Sequence, residues 1–275
     1  MRGEGIRARK ALGQNFLVDR NILGRIADIV EIGPDDRILE VGPGKGALTE
    51  MLARRCARLV AVELDTRLVP VLRQAFRDNP RVEIVHGDIL EIDLRDLLAS
   101  EGGERWKVAA NLPYNISTPV LFAFLDNRDL FSRLVLMLQK EVGDRLAASP
   151  GTKDYGILSV FFQLHFDVVR EMIVRPGSFH PVPKVDSAVL SFVPLEKPRV
   201  VVGDEQYFRR LVKGAFSMRR KTLWNCLKSA GLGLSGEQLS EALAECGIGP
   251  GRRGETLSLD EFAALSRAMM TLGGK

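Results

Sequence analysis

Cysteine, histidine and tryptophan are scarce in this 275-residue chain, and each scarcity excludes something. Three separated cysteines, Cys56, Cys226 and Cys246, contain no Cys-x-x-Cys pair, which argues against a disulfide framework or a cysteine metal site and points to a reducing compartment. Three isolated histidines, His86, His165 and His180, share no ligand spacing, so no metal site is expected. No apolar run approaches the roughly 18 residues that a membrane span needs. The charged start, Met-Arg-Gly-Glu-Gly-Ile-Arg, lacks the apolar stretch of a signal peptide. The expectation is a cytoplasmic chain without a membrane anchor. Hydrolase patterns such as Gly-x-Ser-x-Gly and His-Glu-x-x-His are missing as well.

Charge is plentiful but nearly balanced, 39 Lys and Arg against 35 Asp and Glu, for a net charge of +4. Its distribution is uneven. Between Lys197 and Ser229 nine basic residues face only Asp204 and Glu205, so this stretch carries +7 and the remainder −3. Tyr207, Phe208, Phe216 and Trp224 are interleaved there, and Arg219, Arg220 and Lys221 are consecutive. A second basic cluster, Arg7, Arg9 and Lys10, precedes the first apolar segment. Two basic zones on an otherwise acidic chain point to a polyanionic partner, with these six residues as candidate RNA contacts. The Arg219–Lys221 segment is expected to open a helix over 222–230, where adjacent residues would fan across about 200°.

Short β-branched runs alternate with helical spacing over the first half: Arg37–Val41, Leu59–Val62, Val82–Val85, Lys107–Ala110 and Arg133–Leu138 read as strands. Asp19 caps an expected first helix, and Thr66–Asp78 reads as another. Such alternation predicts an α/β fold with a parallel sheet covered on both faces. Val168–Val174 and Ala188–Val193 read as an antiparallel pair closing one edge. Beyond Pro194–Pro198 the pattern is helical only, with capping boxes at Ser235…Gln238 and Ser258…Glu261 and Gly231 at a helix C-terminus. Two domains are expected, 1–195 and 196–275, the second small and all-helical.

Chemistry concentrates at the expected strand ends. The first strand runs into Gly42-Pro43-Gly44-Lys45-Gly46, a turn that lets the backbone approach an anionic or nucleotide ligand at a helix N-terminus. Glu63 ends the second strand, where a carboxylate can take ribose hydroxyls, and Asp88 follows the third, where it can accept from an adenine amino group. Gly42-x-Gly44-x-x-Ala47 also satisfies a loose dinucleotide fingerprint, which leaves NAD open on this motif alone. The fourth strand is followed by Asn111-Leu112-Pro113-Tyr114. An aromatic amine is a weak nucleophile because its lone pair is delocalised. An enzyme that alkylates one needs acceptors to orient its N–H bonds and a ring to hold the base, roles that suit Asn111, a neighbouring backbone carbonyl and Tyr114.

Taken with Gln14-Asn15-Phe16-Leu17, with Ser178-Phe179…Pro181…Pro183-Lys184-Val185-Asp186-Ser187 and with Arg219-Arg220-Lys221-Thr222-Leu223, these motifs resemble the ribosomal RNA adenine N6,N6-dimethyltransferase family over nearly the whole chain. The resemblance implies a Rossmann-like, S-adenosylmethionine-dependent methyltransferase sheet. Asn15, Leu17, Gly42, Glu63, Asp88 and Asn111 would contact the cofactor, beside Gly44 of the turn. Asn111 and the Leu112 or Pro113 carbonyl would bind the amine, and Tyr114 and Phe179 would sandwich the adenine. The implied substrate is a pair of adjacent adenosines in a hairpin near the 3′ end of small-subunit (16S) ribosomal RNA, each dimethylated during subunit biogenesis by what is expected to be a monomer. Two other readings compete: the sister enzymes of large-subunit RNA, and a non-catalytic ribosome-assembly or RNA-binding factor on the same fold. Leu112 in the tetrapeptide and the basic helical tail favour the small subunit, and the intact Asn111–Tyr114 motif favours catalysis. An NAD-dependent dehydrogenase would need a hydride-transfer acid or base, and none is evident.

Overall fold

The computed structural model describes residues 6–9, 12–99 and 103–273. By its internal contacts the chain divides into two units: 1–143 with 167–194, and 144–166 with 195–275.

The first unit is built on a seven-stranded sheet. Along the chain come β1 (Phe16–Leu17), α1 (Arg20–Ile29), β2 (Arg37–Val41), α2 (Ala47–Ala53), β3 (Arg58–Glu63), α3 (Leu68–Phe76), β4 (Val82–His86), α4 (Leu94–Leu97), β5 (Trp106–Asn111), α5 (Ser117–Asp126), β6 (Phe131–Gln139) and α6 (Lys140–Leu146). After α7 (Ile157–His165) follow β7 (Phe166–Val174), β8 (Phe179–His180) and β9 (Ser187–Pro194). Asp19 caps α1 as expected, its carboxylate accepting from the N–H groups of Asn21 and Ile22. The sheet order is β4-β3-β2-β5-β6-β9-β7, parallel from β4 through β6, with β9 antiparallel to β6. Strands buried on both faces explain the continuous apolar runs, for every residue of Ile38–Val41 is buried. The two late strands do close one edge, but β9 inserts beside β6 and leaves β7 outermost.

This order contains one reversal. The chain winds outward from β2 to β4, then returns to lay β5 on the other side of β2. A crevice therefore opens between the C-terminal ends of β2 and β5, the place where open α/β sheets hold ligands. Register keeps the strand ends level: Val41 lies opposite both Val62 and Ala110, and Glu63 opposite His86. β1 and β8 form a separate two-stranded ribbon, Phe16 opposite His180 and Leu17 opposite Phe179.

The second unit is helical: α7, α8 (Glu205–Ala215), α9 (Leu223–Ser229), α10 (Gly236–Glu245) and α11 (Leu259–Gly273). Both expected capping boxes form; Ser258 N–H donates to Glu261 Oε2 at 2.8 Å, and Glu261 N–H to Ser258 Oγ at 3.1 Å. Gly231 takes φ +64°, closing α9. The contiguous division 1–195 and 196–275 needs one correction, because 144–166 belongs with the helices. Its backbone is tied to the later chain, with Leu195 N–H donating to His165 O and Arg199 N–H to Leu164 O, each at 2.8 Å. Tyr155 sits edge-on to Phe216, which in turn meets Phe262. Phe161 and Phe162 fill a core, as expected, but it is the core of this second unit. Among the described residues no helix is long and apolar enough to cross a membrane.

Candidate active site

One cleft in the first unit gathers most of the residues singled out from the motifs. Gly42, Gly44, Glu63, Asp88, Asn111, Leu112, Pro113, Tyr114 and Asn15 all line it, a space of about 800 Å³ including its open mouth. They arrive from the C-terminal ends of β2, β3, β4 and β5 and from the segment ahead of β1.

The glycine turn is built for close approach. Gly42, Gly44 and Gly46 all have positive φ, and a Cβ on Gly44 would stand 3.0 Å from the Phe16 ring. Glu63 holds the turn from below: its Oε2 accepts from Gly44 N–H at 3.0 Å and its Oε1 from Asp65 N–H at 2.8 Å. A carboxylate offers about four acceptor positions, so these backbone bonds do not exhaust it. Burial above all pushes the Glu63 carboxyl up from its ordinary value, and the Asp65 charge adds to the rise, while the backbone N–H groups of Asp65, Gly44 and Leu64 oppose it. Asp88 is half-buried and fixed by a turn in which its Oδ1 accepts from Leu90 N–H at 3.0 Å.

The Asn111 amide is oriented by a donor bond, Nδ2 to the carbonyl of Asn15 at 3.1 Å, which leaves Oδ1 as the end able to accept. Leu112 N–H donates to Met137 O, and Pro113 O accepts from Ile116 N–H at 3.2 Å, so the tetrapeptide is a locked turn. Leu112 is itself buried where it meets the cleft. Tyr114 Oη shares a 2.8 Å hydrogen bond with Ser187 Oγ. Burial raises the phenol's pKa, the serine opposing, so the ring stays neutral at physiological pH.

Two expected contacts are not brought to this cleft. Phe179 is 2% exposed and joins the core cluster, as does the Leu17 side chain. The reason is strand alternation: in the β1–β8 ribbon Leu17 and Phe179 are paired on the core face, which turns Phe16 to the cleft and leaves His180 exposed. Phe179 therefore does not line the cleft that Tyr114 lines. Sequence reasoning assigned no role to Phe16, to Gln14 or to Glu40, a wholly buried acid of β2. The Gln14-Asn15-Phe16-Leu17 motif held the signal for the first two.

Of the candidate RNA contacts, Arg7 and Arg9 are exposed in the first unit, and Lys10 lies outside the described residues. Arg219, Arg220 and Lys221 are exposed in the second, in a turn ahead of α9 rather than on the helix, since Thr222 is its N-cap. Lys221 N–H closes that turn on Met218 O. Arg219 and Lys221 line a recess with Arg145 and Lys153, and the Arg219 guanidinium donates to Lys153 O at 2.8 Å.

A glycine turn at the sheet's reversal point, acids on the two strand ends that follow, and an Asn-Leu-Pro-Tyr turn across the crevice define a Rossmann-like, S-adenosylmethionine-dependent methyltransferase. Comparison with known proteins narrows the class. A family model described as ribosomal RNA adenine dimethylase matches residues 5–269. A ribosomal RNA small subunit methyltransferase A of Geobacter metallireducens is 95% identical over the full length of both chains, and one of Geobacter sulfurreducens is 69% identical over 274 residues, covering 100% of this chain and 99% of the relative. Among solved structures, a dimethyladenosine transferase from Plasmodium falciparum shares the fold with a TM-score of 0.81 at 24% identity, covering 94% of this chain and 98% of that one. The 23S rRNA methyltransferase ErmE aligns with a TM-score of 0.70 at 26% identity, covering 93% and 100%. The chain belongs to the ribosomal RNA adenine dimethylase family, and its methyl donor is S-adenosylmethionine.

Proposed function

We propose that the enzyme dimethylates N6 of two adjacent adenosines in a hairpin near the 3′ end of small-subunit (16S) ribosomal RNA, as a monomer in the cytoplasm, during subunit biogenesis. The observation that carries the chemistry is the orientation of Asn111. With its Nδ2 committed to Asn15 O, the amide presents Oδ1 to an incoming amine. Small-subunit specificity is supported by the relatives from the two Geobacter species, whose names assign them that subunit.

S-Adenosylmethionine supplies an electrophilic methyl group. Glu63 would take its ribose hydroxyls and Asp88 its adenine amino group, and the Gly42–Gly44 turn would admit its body; that these residues line one cleft supports the reading. Asn15, whose Nδ2 donates to Gly13 O, lines the cleft, and Leu17 follows that lining segment in sequence. Leu17 acts through its backbone, because its side chain is turned into the core.

At the amine, Asn111 Oδ1 accepts one N–H. The Leu112 carbonyl is better placed than that of Pro113 to accept the other, since Pro113 O already holds Ile116 N–H. Two acceptors pull the N–H bonds toward one side and raise lone-pair density opposite. Tyr114, pinned by Ser187, offers its ring to the base and its neutral phenol takes no proton. None of these residues needs to be a strong base, because an alkylated aromatic amine is acidic enough to lose its proton to water.

Asn111→Ala tests this directly. With radiolabelled S-adenosylmethionine and immature small subunits, the wild type transfers methyl groups to the particle and not to naked large-subunit RNA. The variant binds particles but transfers none. Near-normal turnover by the variant would reduce Asn111 to a turn residue, and labelling of large-subunit RNA would favour the sister activity.

A further inference from the structure

Leu12 to Phe16 all line the cleft. One side chain fastens this segment at two points. Gln14 Nε2 donates to Asp65 Oδ2 at 3.0 Å, and Gln14 Oε1 accepts from Arg9 N–H at 2.8 Å, so neither end of the amide is interchangeable. The next residue, Asn15, provides the carbonyl to which Asn111 Nδ2 is bonded.

Asp65 is a fixed anchor. It is 1% exposed, two residues beyond Glu63, and its backbone N–H holds Glu63 Oε1. Its carboxylate accepts a fork from Arg67, Nε at 3.0 Å and Nη2 at 2.6 Å. Hydrogen bonding to Arg67 above all, and to Gln14, holds its carboxyl well below the usual carboxylate range against the opposing effect of burial. Asp65 is thus ionised, and the Gln14 bond to it is charge-assisted.

We propose that Gln14 is a positioning residue for methyl transfer: by fastening the 12–17 segment to Asp65 it fixes the Asn15 carbonyl, and that carbonyl determines which end of the Asn111 amide meets the target amine. An Asn side chain has nearly the same shape either way round, and its two ends have opposite hydrogen-bonding character. Without a fixed partner for Nδ2, a share of the enzyme offers N–H groups to an amine that needs acceptors. The same bond joins the two halves of the site. Asp65 holds Glu63 through its backbone N–H and Gln14, the residue before Asn15, through its side chain, so the wall over the cofactor and the acceptor for the amine are set together. This inference rests on Asn111 acting as the acceptor.

The test measures kcat at saturating S-adenosylmethionine and small subunits, alongside cofactor affinity and thermal stability. Gln14→Ala is expected to lower saturated kcat about tenfold, the loss of one charge-assisted bond, with the melting temperature essentially kept. Gln14→Glu sets a second carboxylate against Asp65 and lowers kcat further. Unchanged saturated kcat in Gln14→Ala, or an effect confined to the KM for the cofactor, would overturn the proposal. Failure of the acceptor reading itself would show separately, as turnover by Asn111→Ala.

Discussion

Glu40 sits in the middle of the sheet directly before the glycine turn, 2% exposed, and burial pushes its carboxyl up to about 8. The neighbouring Glu63 adds to the rise, and Thr49 opposes it. In the unfolded chain this group ionises near 4.5, so between that pH and about 8 the folded protein holds a proton that the unfolded chain has released. Unfolding there liberates a proton, and stability falls with rising pH by about 1.4 kcal/mol per unit. Over the whole window the loss from this one residue is about 4–5 kcal/mol, complete above pH 8 and absent in acid. Glu40→Gln keeps the shape and abolishes the titration. The variant should match the wild type near pH 4.5 and exceed it by about 4 kcal/mol at pH 8.5, measured without cofactor. Urea unfolding followed through Trp106, which is 1% exposed in β5, reports on the unit that contains Glu40. Glu63 also has a raised pKa and titrates in both proteins, so only its coupling to Glu40 enters the difference. A stability difference that does not vary between pH 5 and pH 8.5 would refute the reasoning and show that Glu40 is ionised in the fold.

Glu63→Ala should weaken S-adenosylmethionine binding by about 1–3 kcal/mol, because charged hydrogen bonds to the ribose and the support of Gly44 are lost together; titration calorimetry on the folded variant checks it, and unchanged affinity would remove Glu63 from the cofactor site. Changing Arg219, Arg220 and Lys221 to Ala should weaken binding to small subunits and flatten its salt dependence by about two phosphate contacts, with cofactor affinity kept. Arg219 and Lys221 are the two that share the recess with Lys153, so restoring them in the triple variant should recover most of the slope, and an unaltered slope in the triple variant would leave the RNA surface to the first unit.

Much of this protein is determined by chemistry that is local in the chain. The parallel strands follow from short β-branched runs, and the helix ends of the second unit from Ser-x-x-Gln, Ser-x-x-Glu and a glycine free to take φ +64°. The glycine turn, Glu63, Asp88 and the Asn111–Tyr114 turn were legible for the same reason, since each follows a strand at short range and the level strand ends then bring them together. What lay beyond reach is whatever depends on a partner distant in sequence. Apolar periodicity says that Phe161 and Phe162 must be buried; only the tertiary structure decides that they are buried among the helices of the second unit. In a strand pair two residues long, a shift of one residue exchanges the faces, so the pairing of Leu17 with Phe179, and not composition, sends Phe179 into the core and Phe16 to the cleft. Period-two alternation carries no information in a strand covered on both faces, which is why Glu40 did not declare itself as a buried acid. Gln14 and Asp65 are 51 residues apart, and nothing in either neighbourhood announces the bond that joins them; the fold alone makes them neighbours.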